Sequence, residues 1–204
     1  MIPKRIFTIW LNDNPKLPVL VKKCIESQKI LNYEHRLITL ENTDRDSIYV
    51  RECIEAKNWV KASDYLRMYY IWKEGGIFLD ADMEILSGKN FDDMLDTRFF
   101  TGYEFRGFIA NSGCGSEPGH PLLKMYMDLL DRNFKGAGDM VFEPGLRLFC
   151  DLLTMSDRDK LGVKIYSTDY FYPYNHVTKE VKITNNTRVY HHYITTWYQD
   201  IGIR

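Results

Sequence analysis

No run of about 18 apolar residues occurs anywhere in the 204-residue chain, so no segment reads as a membrane span. The N-terminus, Met1 to Trp10, carries the basic pair Lys4-Arg5 without a long apolar stretch behind it, and is expected to be neither a signal peptide nor an anchor. No charge sign dominates. Lys and Arg number 27 against 28 Asp and Glu, a formal charge of −1, which argues against a polybasic nucleic-acid surface and an acidic tail. The four cysteines, Cys24, Cys53, Cys114 and Cys150, contain no C-x-x-C pair, so neither a zinc ribbon nor a thioredoxin-like site is indicated. They are expected to be free thiols in a reducing compartment, which makes the cytoplasm the expected location. Internal repeats and low-complexity segments are also lacking.

What is present is enough for one core. Hydrophobic residues make up 45% and charged residues 27%, which suits an ordered chain, and the length suits one domain over 1–204. Tyr alone contributes 14 residues, and such amphipathic rings often line polar clefts.

Arg5 to Trp10 reads as a first strand. Pro18 opens a helix with Val19, Leu20, Cys24 and Ile30-Leu31 on one face, and Glu34 to Leu40 reads as a second strand. Strand, helix, strand begins an α/β layer. A helix is expected over Thr43 to Ala56. The clearest one spans Lys61 to Lys73, where Leu66, Tyr69, Tyr70 and Lys73 share one spacing with Ala62 and Tyr65 beside it. Gly75-Gly76 stops it. Ile77-Phe78-Leu79 reads as a short buried strand carrying Asp80-Ala81-Asp82 at its C-terminal end, where functional groups collect in α/β sheets. Further strands are expected over Phe99 to Tyr103 and Gly107 to Ala110, and helices over Pro121 to Phe134 (stripe Leu122, Met125, Tyr126, Leu129, Leu130) and Leu146 to Met155. From Val163 the chain is irregular, aromatic and β-rich.

The chemistry concentrates between Ala62 and Asp82. Asp64 and Arg67 stand i and i+3 on a helix and share a face; alone, they would be a surface ion pair of little worth. Asp80 and Asp82, one residue apart past a buried strand, call for a counter-charge, and oxygen ligands there suit Mg²⁺ or Mn²⁺. A bare Asp-x-Asp is weak, since a solvated turn gives the same pattern.

The combined string of Ala62, Asp64, Arg67, Gly75, Gly76, Phe78, Asp80 and Asp82 resembles glycosyltransferase family 32. That group of Asp-x-Asp sugar-nucleotide transferases includes bacterial capsule and lipopolysaccharide enzymes and is related at the motif level to clostridial glucosylating toxins. The family aromatic is often Tyr; Phe78 lacks its hydroxyl. The opening Ile2-Pro3-Lys4-x-Ile6-x-x-Ile9-Trp10 resembles the family's first strand, with Phe7 where His is common. Asn111-Ser-Gly-x-Gly-Ser-Glu-Pro-Gly-His-Pro121 and Tyr190-His191-His192-Tyr193-Ile194-Thr195-Thr196-Trp197 resemble its middle and C-terminal motifs. Phe142-Glu-Pro-Gly145 is an altered form of a further motif, and no role is carried onto it.

The resemblance implies a glycosyltransferase A-type, Rossmann-like α/β sandwich, Mn²⁺ or Mg²⁺ as cofactor, a nucleotide-sugar donor (usually a UDP-sugar) and retaining transfer to a glycan or lipid-linked acceptor. In that frame Asp82 ligates the ion, with His191 as a further ligand or a pyrophosphate contact. Asp64, Arg67 and Asp80 act catalytically on the sugar, and Ala62, Asn111, Trp10 and Trp197 help to bind the donor. Trp10 offers a base a flat face; the alternative is core burial. One of His191 and His192 is expected to point inward and the other out. Asp64 and Arg67 are expected to matter for turnover and not for stability. Tyr170-Phe-Tyr-x-Tyr174 is either a lipid-facing surface, giving peripheral membrane contact, or core. Two other readings remain open: a haloacid-dehalogenase-like phosphotransferase, against which Glu84 stands where Thr or Val is usual, and a non-catalytic sugar-nucleotide-binding domain.

Overall fold

The computed structural model describes residues 1–14, 16–104, 107–136, 144–175 and 178–194. Its main strands are β1 (Arg5–Ile9), β2 (Glu34–Ile38), β3 (Gly76–Leu79), β4 (Met83–Ile85), β5 (Phe99–Gly102), β6 (Gly113–Ser116), β7 (Val163–Tyr166) and β8 (Val189–His191). The α-helices are α1 (Val19–Ser27), α2 (Ile48–Glu55), α3 (Trp59–Glu74), α4 (Pro121–Asn133), α5 (Pro144–Met155) and α6 (Arg158–Leu161). Six strands form one sheet in the order β2-β1-β3-β6-β5-β7, and β4 pairs with β8 in a small second sheet. β1 runs parallel to β2 and β3, and β5 parallel to β7, while β6 runs antiparallel to both of its neighbours.

The sheet is buried on both faces because neighbouring apolar residues point to opposite sides. Phe7, Phe78 and Phe99 join the larger core cluster with α2–α5, whereas Ile6, Ile77, Leu79 and Phe100 join a second cluster with Met83, Phe91, Phe171 and Tyr172. Phe7 stacks on Tyr70 at 5.5 Å between ring centres.

Local chemistry explains where the elements start and stop. Ser47 caps α2 by accepting from the backbone N–H of Val50, so this helix begins later than the expected Thr43. Asp44, ahead of it, is engaged elsewhere: its N–H donates to Tyr70 and its carboxylate accepts from Tyr69 and Lys73. Asn58 caps α3 through the N–H of Lys61, two residues earlier than expected. At the other end of α3, Gly75 has φ 69°, and a Cβ there would lie 2.7 Å from both Pro3 and Pro118, so only glycine allows this turn.

Three expectations are corrected. Gly107 to Ala110 forms no strand, only the single bridge of Ile109 to Tyr103; the strand is Gly113–Ser116. Its glycines let the Phe100 ring pack flush, since a Cβ on Gly115 would lie 2.4 Å from that ring. In α1 the buried face is Val21, Cys24 and Ile25, while Val19 and Leu31 are exposed. In α4 the inward stripe is Leu122, Leu123, Tyr126, Met127 and Leu130, with Met125 exposed. Phe171 and Tyr172 are buried in the second core cluster, while Tyr170 and Tyr174 are half-buried, so the centre of the aromatic run at 170–174 is core. No helix among the described residues is long and apolar enough to cross a membrane.

Candidate active site

β3 delivers Asp80 and Asp82 to the C-terminal edge of the sheet. A tight turn follows, in which Met83 N–H donates to Asp80 O at 3.0 Å and Asp80 N–H to Ser112 O at 2.9 Å. β4 then pairs with β8, setting Met83 opposite His191. That register brings a residue from near the other end of the chain against the Asp-x-Asp turn. His191 Nε2 lies 3.2 Å from Asp82 Oδ1, and the N–H of Ile194 donates to Asp82 Oδ2 at 2.7 Å. His192 turns the other way and meets Glu84 at 2.9 Å, so His191 is the inward member of the pair.

Arg67 rises from α3 beneath this turn and is only 8% exposed. Its Nη2 lies 3.4 Å from Asp64 Oδ1 and 3.4 Å from Asp80 Oδ1, and its Nη1 donates to Asn111 Oδ1 at 2.9 Å. Asn111 Nδ2 in turn donates to Asp64 at 3.2 Å. The guanidinium lies 4.9 Å from the centre of the Phe78 ring, so the aromatic that lacks a hydroxyl supports Arg67 from below. A surface ion pair is therefore the wrong description of Asp64 and Arg67. They form a buried network whose loss is costly, because removing one partner leaves a charge uncompensated.

The electrostatics follow from burial and neighbours. Burial raises Asp80 to about 6, with the Asp82 charge adding to the rise and Arg67 opposing it. Burial would also raise Asp82, but its hydrogen bond and charge interaction with His191 outweigh that and hold it below the usual carboxylate range. Burial acts to lower His191, yet Asp82 raises it overall. Asp64 is raised by burial, against Arg67 and Asn111. Asp64 and Asp80 thus face Arg67, the one permanent cation of the floor, while Asp82 has only the titratable His191 as its counter-charge.

A cleft of about 350 Å³ opens over this floor, lined by Trp10, Arg67, Asp80, Asp82, Asn111 and His191 among others. Trp10 is therefore a wall of the cleft. Asp64 does not line it and acts from behind, through Arg67 and Asn111. Ala62 is fully buried in the core cluster and faces no cleft. Trp197 lies outside the described residues. The cleft is also lined by Ser63 and Glu104, which no sequence motif singles out, and by Tyr193, a member of the C-terminal motif with no role assigned from it. Ser63 had a signal: it stands four residues before Arg67, and its hydroxyl and carbonyl both accept from the guanidinium at 3.3 Å. Gly145 was likewise given no role, yet a Cβ there would lie 2.0 Å from Asp64 Oδ2, so the start of α5 rests directly on that carboxylate.

Asp80, Asp82 and His191 offer ligand atoms that all lie within 4.8 Å of one another. Two carboxylates and an imidazole are a donor set for a divalent ion, and His191 Nδ1, buried, has no hydrogen-bond partner among the described residues.

This mixed α/β fold is that of solved glycosyltransferases. It is similar to "PaToxG Glycosyltransferase", with TM-score 0.61 and 17% identity over 78% of this chain and 73% of that one. It is also similar to a glycosyltransferase involved in the glycosylation of the major capsid of PBCV-1, with TM-score 0.57 and 10% identity over 98% of both chains. The family described as "Capsular polysaccharide synthesis protein" matches residues 1–131, and the chain belongs to it. No curated protein matches the chain.

Proposed function

We propose that the protein is a metal-dependent glycosyltransferase of capsular polysaccharide synthesis, moving a sugar with retention from a nucleotide-sugar, a UDP-sugar first, to a glycan or lipid-linked saccharide. The observation that carries this is the convergence of Asp80, Asp82 and His191 with the Arg67 guanidinium on the floor of one cleft that has an indole in its wall. Asp82 and His191, with Asp80, would hold Mn²⁺ or Mg²⁺; the imidazole favours Mn²⁺. When bound, such an ion stabilises the charge that builds on a diphosphate leaving group.

The chain's own residues do the rest. Arg67, fixed by Asp64, Asn111 and Ser63, presents a rigid fork to sugar hydroxyls or phosphate oxygens, and its preorganisation costs nothing at the moment of reaction. Asp80 and Asn111 line the cleft within reach of the same ligand. Trp10 gives the base a flat apolar face. The likeness to glycosyltransferases favours transfer over the phosphotransferase reading, and the intact Asp64–Arg67–Asp80–Asp82 set favours turnover over binding alone. The four free thiols accord with a cytoplasmic location.

The test is a panel of nucleotide-sugars, with and without Mn²⁺, read by thermal shift and by release of nucleoside diphosphate. Stabilisation and slow hydrolysis of one donor only when the ion is present are expected. A panel with neither, in folded protein, would refute the reading.

A further inference from the structure

We propose a second cation site outside the cleft, built by Cys24, Glu84 and His192 and suited to a divalent ion of borderline softness such as Zn²⁺. The ligand atoms of these three residues all lie within 4.8 Å of one another, and none of the three lines the cleft. They come from three elements. Cys24 is on the buried face of α1, Glu84 is in β4, and His192 directly follows β8. The two sites share a physical origin. Side chains alternate along extended backbone, so His191 turns to Asp82 and His192 turns to Glu84 at 2.9 Å.

The place is already adapted to positive charge. Lys23 Nζ lies 2.9 Å from Glu84 Oε1 and 3.1 Å from Oε2. The Lys23 side chain is 63% exposed and can withdraw into water, so it stands where an arriving ion would replace it. One sulfur, one imidazole nitrogen and one carboxylate oxygen match Zn²⁺ or Co²⁺, with a fourth position left to water. Sulfur sets this site apart from the oxygen-rich cluster in the cleft. On binding, the Cys24 thiol gives its proton to solvent as the sulfur–metal bond forms, the His192–Glu84 hydrogen bond and the Lys23–Glu84 ion pair open, and the imidazole binds the ion through its unprotonated ring nitrogen while the other keeps its proton. The ion would then tie α1 to the β4–β8 sheet. Because His192 N–H donates to Asp82 O at 3.1 Å, that tie would stiffen the frame under the cleft cluster.

The test is a titration of the chelator-stripped full chain with CoCl₂, followed in the near ultraviolet for thiolate-to-cobalt charge transfer, then reversed with Zn²⁺. The band should saturate with one thiolate-bound ion, and Zn²⁺ should raise the melting temperature. Asp82→Asn, which disables the cleft cluster, should keep the band, so failure of the proposed activity and failure of this site are distinguishable. Cys24→Ser should abolish it. Glu84→Gln and His192→Gln should each weaken cobalt binding by at least about ten-fold, and Lys23→Met should strengthen it. Absence of the band from the wild type, its survival in Cys24→Ser, or its loss in Asp82→Asn would each overturn the proposal. Should Cys24→Ser fail to fold, wild-type affinity in the half-buried His192→Gln variant overturns it equally.

Discussion

Gln28→Met is a sharp test of how the Asp-x-Asp turn is held. Gln28 is fully buried just past α1, and its amide spans the turn: Nε2 donates to Asp80 O at 3.0 Å and to Met83 O at 2.8 Å. Its Oε1 accepts from the Thr8 hydroxyl, which also meets His35 Nε2 at 3.1 Å. Methionine keeps the length and bulk and removes all three hydrogen bonds. At about 1 kcal/mol each the loss is about 3 kcal/mol. For a domain of this size that lowers the melting temperature by about 6–12 °C. The turn carries both carboxylates, so loosening it should also weaken Mn²⁺ binding about 10- to 100-fold, as loss of supporting hydrogen bonds does at metal sites. Calorimetric Mn²⁺ titration well below the melting point reads this directly. Leu130→Ala, in the core of α4, is the control: it should destabilise by about 2–5 kcal/mol and leave Mn²⁺ affinity alone. If Gln28→Met binds Mn²⁺ like the wild type while Leu130→Ala shows the same loss of stability, Gln28 is ordinary core and the positioning argument fails.

Asp82→Asn should abolish Mn²⁺ binding to the cleft, with nucleotide-sugar turnover down by at least about 100-fold and an unchanged circular dichroism spectrum; full activity in this variant and in EDTA would remove the ion from the reaction. Arg67→Lys should lower both turnover and melting temperature, by about 2–3 kcal/mol in stability, because the buried fork serves Asp64, Asp80 and Asn111 together; the sequence-based expectation of an effect on turnover alone gives way here. Gly145→Ala should cost about 1–3 kcal/mol and reduce turnover, since its Cβ would meet Asp64 Oδ2 at 2.0 Å and push the network under Arg67 aside; unchanged melting and kinetics would show that α5 yields instead. In alkylation of the metal-free protein with iodoacetamide at pH 8, partly buried Cys150 should react first, because burial pushes Cys24 and Cys114 up to about 12 and Cys53 to about 11 and so keeps them protonated and slow to alkylate; mass spectrometry after short exposure checks the order.

The elements that sequence located well are those where periodicity and stop signals agree. β1, α3, β3 and α4 each have an apolar run or stripe bounded by Gly, Pro or a cap, and the structure moves their ends by one or two residues. The chemistry of the Ala62–Asp82 string was legible because it is local: helix, glycine stop, strand and carboxylates follow one another within one supersecondary unit. What sequence left open is set by contacts distant along the chain. The Gly113–Ser116 strand has no apolar run to mark it and is fixed by Phe100 packing against Gly115. The place of His191 depends on the β4–β8 register, and the pressure of Gly145 on Asp64 depends on how α5 docks. Resemblance could supply His191 but not the reason for its position.

The misread face of α1 shows why such errors fall near sites. The true inward positions, Val21, Cys24, Ile25 and Gln28, keep the i, i+3, i+4, i+7 spacing of an amphipathic helix. The stripe was hidden because its last member is polar, and apolar Val19 and Leu20 offered a competing phase. The same holds on α3, where buried Arg67 interrupts the apolar stripe, and on β1, where fully buried Thr8 stands among Phe7, Ile9 and Ile6. Burying such groups is unfavourable unless each finds hydrogen-bond partners, so a polar residue kept on an inward stripe implies a partner elsewhere in the fold. Traced from residue to residue, those partners lead from Thr8 to Gln28, from Gln28 to the backbone of the Asp80–Met83 turn, and from Asp80 to Arg67. The breaks in hydrophobic periodicity and the polar scaffold of the cleft are the same residues. A local rule therefore fails where the fold spends its specificity, and a polar member of an otherwise inward stripe is itself a readable mark of the site.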